Sequence, residues 1–547
     1  MSGMKKRTVI SVVAFLVVTI ATAFALRQVE AFQGTTLTKL NRDFKSAMEV
    51  VRTNYVGEVS YDALTKGGIQ GMLRVLDPHS GYFDKKAFAE LNSEQRSHYF
   101  GIGAQIAPRN RGTYVLETFA DTPAYRAGLK FGDHIVSVDG QDTSNWSSER
   151  VRNLLRGERG TIVNVVVRRP GSAEPIKVAI KRDSVSLPSI TSYYLVRPGI
   201  GYVNLSRGFH STTSDELSRA MADLTERGAG SFVLDLRENR GGYLDQAIKV
   251  VDKFLAKGQV IVSVRGREGM GLDRDITAET GASENFPMVV LIDGESASAS
   301  EIVAGAIQDH DRGLIVGESS FGKGLVQHIF PLRDGSGLTL TIARYYTPSG
   351  RLIQRDYSSG SLFDYYFHRE NPQDAGAAKP KGEEKKTDLG RAVYGGGGIE
   401  PDIKIPGSDT FTQIQGRLYH GVFMFARELI SGRIAGLEKY KVDSITFKPG
   451  PKANPYWIGD DALKAYKDFM SKFLTDNPDY GLTTDNVEAE MVWARKQLRQ
   501  EVLWSAYGFD EMKRLTSDLD IQLQKAVEVL PNSAELSQKS WRSTPRN

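Results

Sequence analysis

Residues 291–327 read LIDGESASASEIVAGAIQDHDRGLIVGESSFGKGLVQ, and this stretch decides the fold. The apolar run Met288–Ile292 just before it has the length of a buried strand. Small residues then surround Ser296, Ser298 and Ser300, and a helical pattern starts at Glu301-Ile302-Val303. A second short apolar run, Leu314–Val316, follows the helix. Strand, turn, helix and strand in this order form a unit of an α/β layer.

The same alternation extends upstream. Runs at Ile200–Leu205, Ser231–Leu236 and Val260–Val264 predict strands, and Asp215–Arg227 and Leu244–Leu255 predict helices. Before them, short alternating runs at Gly103–Ile106, Thr113–Glu117, His134–Val138, Ile162–Arg168 and Ile176–Ile180 are separated by Gly, Pro, Asn and Asp. They predict a small β-rich module over 96–183. Residues 34–95 read as helical, with Phe44, Met48, Val51 and Tyr55 at helical spacing, and end in the turn LDPHSG at 76–81. Residues 368–390 are polar and rich in Pro, Lys and Glu, which predicts a flexible insertion in an α/β core spanning 184–406. Residues 407–547 turn helical again, with apolar positions at Leu463, Tyr466, Phe469 and Met470, and later at Val492, Leu498 and Leu503. The fold class is therefore mixed α+β and multidomain, with helical regions at both ends.

At 547 residues there is ample chain for several cores, and zero cysteines exclude disulfides, zinc-thiolate sites, Fe–S clusters and cysteine nucleophiles. A net charge of +4 over this length makes no case for nucleic acid. One segment departs from the average. Lys5, Lys6 and Arg7 precede Thr8–Leu26, 19 residues without a charge. That pattern predicts a signal peptide or membrane anchor within residues 1–33, with Ala23-Phe24-Ala25 as a cleavage site, and places the remainder outside the cytoplasm.

A serine at a strand-to-helix turn projects its Oγ from the end of the element. The next backbone N–H, with the helix dipole behind it, is then available to an oxyanion. Ser298-x-x-Glu301 equally fits a helix capping box, so the pattern alone leaves nucleophile and cap both open. Two bases are available, His310 just past the helix and Lys323 between two apolar runs. Burial at the latter would lower a lysine's pKa towards the range of a general base. The run Gly317-Glu-Ser-Ser-Phe-Gly322-Lys323 imitates a phosphate-binding loop. Its next residue is Gly324 instead of Ser or Thr, and residues 325–330 read as a strand, which argues against nucleotide binding.

The β-rich module carries TPAYRAGLKFGDHIVSVDG at 122–140. This resembles the PDZ domain pattern, and implies that Phe100, Gly101, Ile102 and Gly103 form the loop that captures a C-terminal carboxylate, with peptide added along the following strand. The segment around Ser298 resembles the active site of the carboxyl-terminal processing proteases, the tail-specific serine peptidases of family S41. VLDLRENRGG at 233–242, YYTPSGR at 345–351 and GGIEPD at 397–402 are also similar to that family.

The resemblance implies a serine-protease core of the ClpP/crotonase-like kind. It implies a dyad of Ser298 as nucleophile and Lys323, 25 residues on, as base, oriented by Gln327. It further implies an oxyanion hole from the Ala299 amide with Gly241 or Gly242, and a supporting place for Asp309. His310 is then expected to be a surface loop residue. No metal and no cofactor are implied. The expected partners are protein substrates with accessible tails and the membrane, with residues 407–547 left to oligomerisation or an adaptor. The alternative reading is a non-catalytic PDZ adaptor on a peptidase-like scaffold.

Overall fold

The computed structural model describes residues 38–95, 97–281, 286–358, 365–366, 382–407, 411–447, 449 and 453–543. The charged-then-apolar run at 5–26 and the first part of the predicted insertion lie outside them. Among the described residues, no helix is long and apolar enough to cross a membrane.

The chain divides into two compact units, Met1–Tyr82 and Phe83–Asn547. In the first, residues 38–54 (α1) and Tyr61–Arg74 (α2) are helical, the latter capped by Ser60 Oγ, which accepts from the Ala63 N–H. Phe44 and Val51 lie on α1 and Tyr55 just past its end, yet all three side chains are exposed.

In the second unit, Lys85–Gln95 (α3) leads into the β-rich module. Strands Ala104–Arg109 (β1), Gly112–Thr118 (β2), His134–Val138 (β3), Ile162–Arg168 (β4) and Ile176–Lys181 (β5) pair antiparallel in sequence order. Alternation explains the packing. Val163, Val165 and Val167 of β4 point into the core while Ile162 stays exposed. Helix Ser148–Leu155 (α4) adds Val151 and Leu155 to the same core.

The main sheet contains Ser192–Arg197 (β6), Ile200–Asn204 (β7), Ser231–Asp235 (β8), Met288–Ile292 (β9), Leu314–Gly317 (β10) and Ile403–Lys404 (β11), adjacent in that order. All neighbours after the β6–β7 pair are parallel. Every residue of β9 is fully buried, as a central parallel strand covered on both faces must be. Helix Ala299–Asp309 (α5) is buried along its whole length.

Two expectations need correction. Val260–Gly266 leaves the main sheet and pairs antiparallel with Arg274–Thr277 and Gly337–Tyr346. Its hairpin partner is polar and largely exposed, so no apolar pattern marks it as a strand. At the described end of the predicted insertion, Glu384–Lys386 pairs with Ala392–Tyr394, and Asp388 Oδ2 lies 2.7 Å from His310 Nδ1. Val492, read as part of an apolar stripe, is 87% exposed in the first turn of its helix, Met491–Tyr507.

The C-terminal region is helical as expected. Gln413–Ile430, Asp460–Asp476 and Met491–Tyr507 enclose a core with Tyr466, Met470 and Leu498.

Candidate active site

Loops leaving the carboxyl ends of four consecutive parallel strands, β7 to β10, form the site, the usual place in such sheets. They supply the predicted Gly241-Gly242, Ser298 and Lys323, and with them Gly208-Phe209, which the sequence did not single out.

Ser298 has φ 56° and ψ −112°, a backbone region that non-glycine residues rarely adopt and that costs ~1–3 kcal/mol. Glu301 stands where a capping box puts it, and its carboxylate closes back on the Ser298 N–H. The strain is held by neighbours. Glu301 Oε2 accepts from the Ser298 N–H at 2.7 Å, and the Ser298 carbonyl accepts from Glu301 and Ile302 at 2.9 and 3.0 Å.

Lys323 meets the same carboxylate. Its N–H donates to Glu301 Oε2 at 2.9 Å, while Oε1 accepts from the Gly322 N–H at 2.7 Å and the Ser320 hydroxyl at 2.5 Å. Its Nζ donates to Gln327 Oε1 at 2.8 Å, the neighbour that the family resemblance implies for it. The Tyr345 hydroxyl lies 2.6 Å from the Lys323 carbonyl oxygen and 3.1 Å from that of Ser298. The lysine is half-buried, less enclosed than its apolar flanks suggest.

Hydrogen bonding separates the two glycines. The Gly241 N–H donates to Asn239 Oδ1 at 2.9 Å, whereas the N–H groups of Gly242 and Ala299 have no hydrogen bond among the described residues. A side chain on Gly241 would lie 2.8 Å from Ser298 Cβ, so the loop must approach the serine as bare backbone. Arg240 points outward, its guanidinium 2.7 Å from Glu295.

Three family models match the chain: Peptidase family S41 over residues 199–360, PDZ domain over 90–168 and Activating protease CtpB N-terminal domain over 19–87. The carboxy-terminal-processing protease of Bartonella bacilliformis is 41% identical over 316 residues, 57% of this chain and 72% of that one. The carboxy-terminal processing protease CtpB of Bacillus subtilis is 32% identical over 315 residues, 57% of this chain and 65% of that one. A solved photosystem II D1 C-terminal processing protease is 28% identical, with TM-score 0.35, covering 66% of this chain and 86% of that one.

The chain belongs to the S41 carboxy-terminal processing proteases. It is a serine-type peptidase carrying a PDZ domain.

In this protease Asp309 stands apart from the serine and lysine. It ends an 11-residue helix that starts beside Ser298, about 16 Å away at 1.5 Å per residue. There it pairs with buried Arg351 at 2.5 Å and accepts from the Ser349 N–H and hydroxyl. His310 is buried, contrary to the expected surface loop, with Nδ1 2.7 Å from Asp388 and Nε2 2.7 Å from the Val260 carbonyl.

Sequence reading gave Tyr345 and Asn239 no role and Glu301 only that of a helix cap. Asn239 is wholly buried and joins three loops, donating to the Leu205 carbonyl at 2.6 Å and accepting on its own carbonyl from Ala297 and Ser300. A carboxylate inside the apolar run EIVAGAI was the available signal for Glu301. Desolvation pushes its pKa up to about 7, opposed by the donors that converge on it. Burial holds the Tyr345 phenol far above its usual range, so it stays a neutral donor.

In the PDZ domain the predicted loop turns its carbonyls inward. Ile102 accepts from the Ala124 N–H at 2.7 Å, and Gly103 from Phe119 at 3.1 Å and Thr122 Oγ1 at 2.9 Å. The N–H groups of Ile102 and Gly103 have no hydrogen bond among the described residues. Phe100 is partly exposed beside Gly101 on a short strand paired with Asp183–Ser186.

Proposed function

We propose that this protease cleaves polypeptides near a free C-terminus with a Ser298–Lys323 dyad. The observation that carries the proposal is that both residues, far apart in sequence, hang their backbone N–H groups on one carboxylate oxygen of Glu301. That shared anchor sets the nucleophile and the amine in one register. Gln327 holds the amine through its Oε1.

In the first half-reaction neutral Lys323 accepts the Ser298 hydroxyl proton as Oγ bonds to the scissile carbonyl carbon. The N–H groups of Gly242 and Ala299, with the α5 dipole behind the latter, receive the oxyanion. Lys323 passes the proton to the departing nitrogen, the C–N bond breaks, and an acyl-enzyme remains. Water, deprotonated by the same lysine, then releases the new carboxylate and restores the serine.

The substrate's terminal carboxylate docks on the N–H groups of Ile102 and Gly103, and its tail extends along β1. The run of basic then apolar residues at 5–26 supports an extracytoplasmic site of action, at the membrane or in the periplasm, on protein substrates with accessible tails. Membrane fractionation of cells with and without residues 1–33 tests that location.

The dyad is tested with Ser298→Ala and Lys323→Ala against an unfolded protein with an apolar tail. Each should lose more than about a thousandfold in kcat. Wild-type turnover by either variant removes that residue from the dyad. Amidating the substrate's terminus should slow cleavage, and an unchanged rate removes the carboxylate docking.

A further inference from the structure

Residues 411–543 lie outside all three family matches, and they grip both other parts of the second unit. On the peptidase side, helix Ile521–Glu528 and its successor, Leu530–Ser543, bury Leu523, Ala526 and Leu530 in one cluster with Val233, Val289 and Leu291 of the main sheet. Asp520 pairs with Arg237 at 2.7 Å, and Ser533 Oγ donates to the Met288 carbonyl at 2.5 Å.

On the PDZ side, Trp504 and Phe423 share a buried cluster with Tyr114 and Leu116 of β2. The Trp504 indole N–H and the Phe509 N–H both donate to Glu117 Oε2 at 3.1 Å. Arg427 Nε donates to the Gly132 carbonyl at 2.6 Å, and its guanidinium lies 4.9 Å from the centre of the Tyr114 ring.

The gripped strand leads directly to the tail-docking loop. Two residues past Glu117, the Phe119 N–H holds the Gly103 carbonyl at 3.1 Å. The Phe119 ring lies 5.3 Å from the Arg207 guanidinium of the peptidase. Arg207 begins the strap Gly208-Phe209, where the Phe209 N–H donates to the Gly241 carbonyl at 2.9 Å, beside Ser298. Moving the PDZ domain relative to the peptidase would bare a tryptophan and an apolar cluster and break the hydrogen bonds of the half-buried Glu117 carboxylate, which a small polar interdomain contact would not require.

We propose that residues 411–543 are a brace that fixes the span between the tail-docking loop and Ser298, so that the protease counts its cut from the substrate's C-terminus. An extended chain advances ~3.3–3.6 Å per residue, so a fixed span selects one peptide bond. This rests on the tail-docking reading above.

The test uses the full chain and two unfolded substrates that share an apolar tail, one with three residues inserted within it, with products identified by mass spectrometry. Wild type should cut both at the same count from the C-terminus. A cut that stays at the same sequence instead overturns the proposal.

The double variant Glu117→Gln, Arg427→Met should spread cleavage over several neighbouring bonds and raise amide hydrogen exchange across 103–135 about tenfold or more. A single cut position with loosened exchange, or unchanged exchange, also overturns it. Amidated substrate separates the two readings. If amidation leaves the wild-type rate unchanged, tail docking fails; if it slows cleavage while the count still wanders, the brace fails.

Discussion

Ser298 and Lys323 donate their main-chain N–H groups to the same atom, Glu301 Oε2, at 2.7 and 2.9 Å, and their carbonyl oxygens both lie against the Tyr345 hydroxyl. A carboxylate on one side and a phenol on the other thus hold the two peptide units between them. The strained φ of Ser298 persists because its surroundings determine it on both sides.

Glu301→Gln should lower kcat about 10- to 100-fold with KM changed less than about twofold. An amide must turn its NH2 towards one of the convergent donors, leaving a buried N–H unmatched at a cost of ~1–3 kcal/mol. Steady-state kinetics on a tailed peptide check this. A raised KM at constant kcat would place Glu301 in substrate binding instead.

The same residue sets a pH dependence of stability. With its pKa raised from 4.5 to about 7, the folded state binds more protons than the unfolded state between those values. Stability therefore falls as pH rises from about 4.5 to 7, by on the order of 3 kcal/mol at full ionisation. The stability gap between wild type and Glu301→Gln should shift in wild type's disfavour over that window in urea unfolding. A pH-independent gap contradicts the assignment.

Tyr345→Phe keeps the buried ring and removes only the hydroxyl shared by the two carbonyls. We expect kcat to drop about tenfold with a thermal midpoint within a few degrees of wild type. Because burial keeps the phenol neutral, its ionisation should add no alkaline limb to the wild-type rate profile.

Gly242 has φ 147°, and a Cβ there would sit 2.2 Å from the Phe209 carbonyl oxygen. Gly242→Ala must therefore displace the loop and the N–H assigned to the oxyanion. The loss should be about 10²–10³ in kcat, the scale of removing one oxyanion donor. Full activity in this variant would exclude the Gly242 amide from the hole.

Asp388 Oδ2 and the Val260 carbonyl each lie 2.7 Å from a ring nitrogen of His310 as acceptors, and the Gln259 amide nitrogen lies 3.1 Å from Nδ1. Although burial opposes the charge, Asp388 and the Val260 carbonyl raise its pKa above 6.5. Its stabilisation is complete below that value and is lost as pH rises through the folded pKa. His310→Gln should then cost ~1–3 kcal/mol at pH 6 and clearly less at pH 9, measured by chemical denaturation. An equal cost at both would show a neutral histidine.

Signals that repeat every two or three to four residues were legible along the chain. The valines of β4 and the unbroken run of β9 marked their strands because burial acts on each residue locally. The partner of Val260–Gly266 was not legible, since Arg274–Thr277 is polar and only its pairing makes it a strand. Likewise His310 looked like a loop residue, because nothing near it in sequence announces Asp388 arriving 78 residues later.

By itself the sequence determined the order of elements, the serine–lysine spacing and the family, all written in short contiguous motifs. Only the tertiary structure decided which glycine amide is free, that Asp309 stands at the far end of its helix, and that Glu301 and Tyr345 join nucleophile and base. The physical reason is that hydrogen-bond satisfaction and desolvation depend on which distant groups share a buried space. A motif names the groups, and the packed fold alone sets their partners.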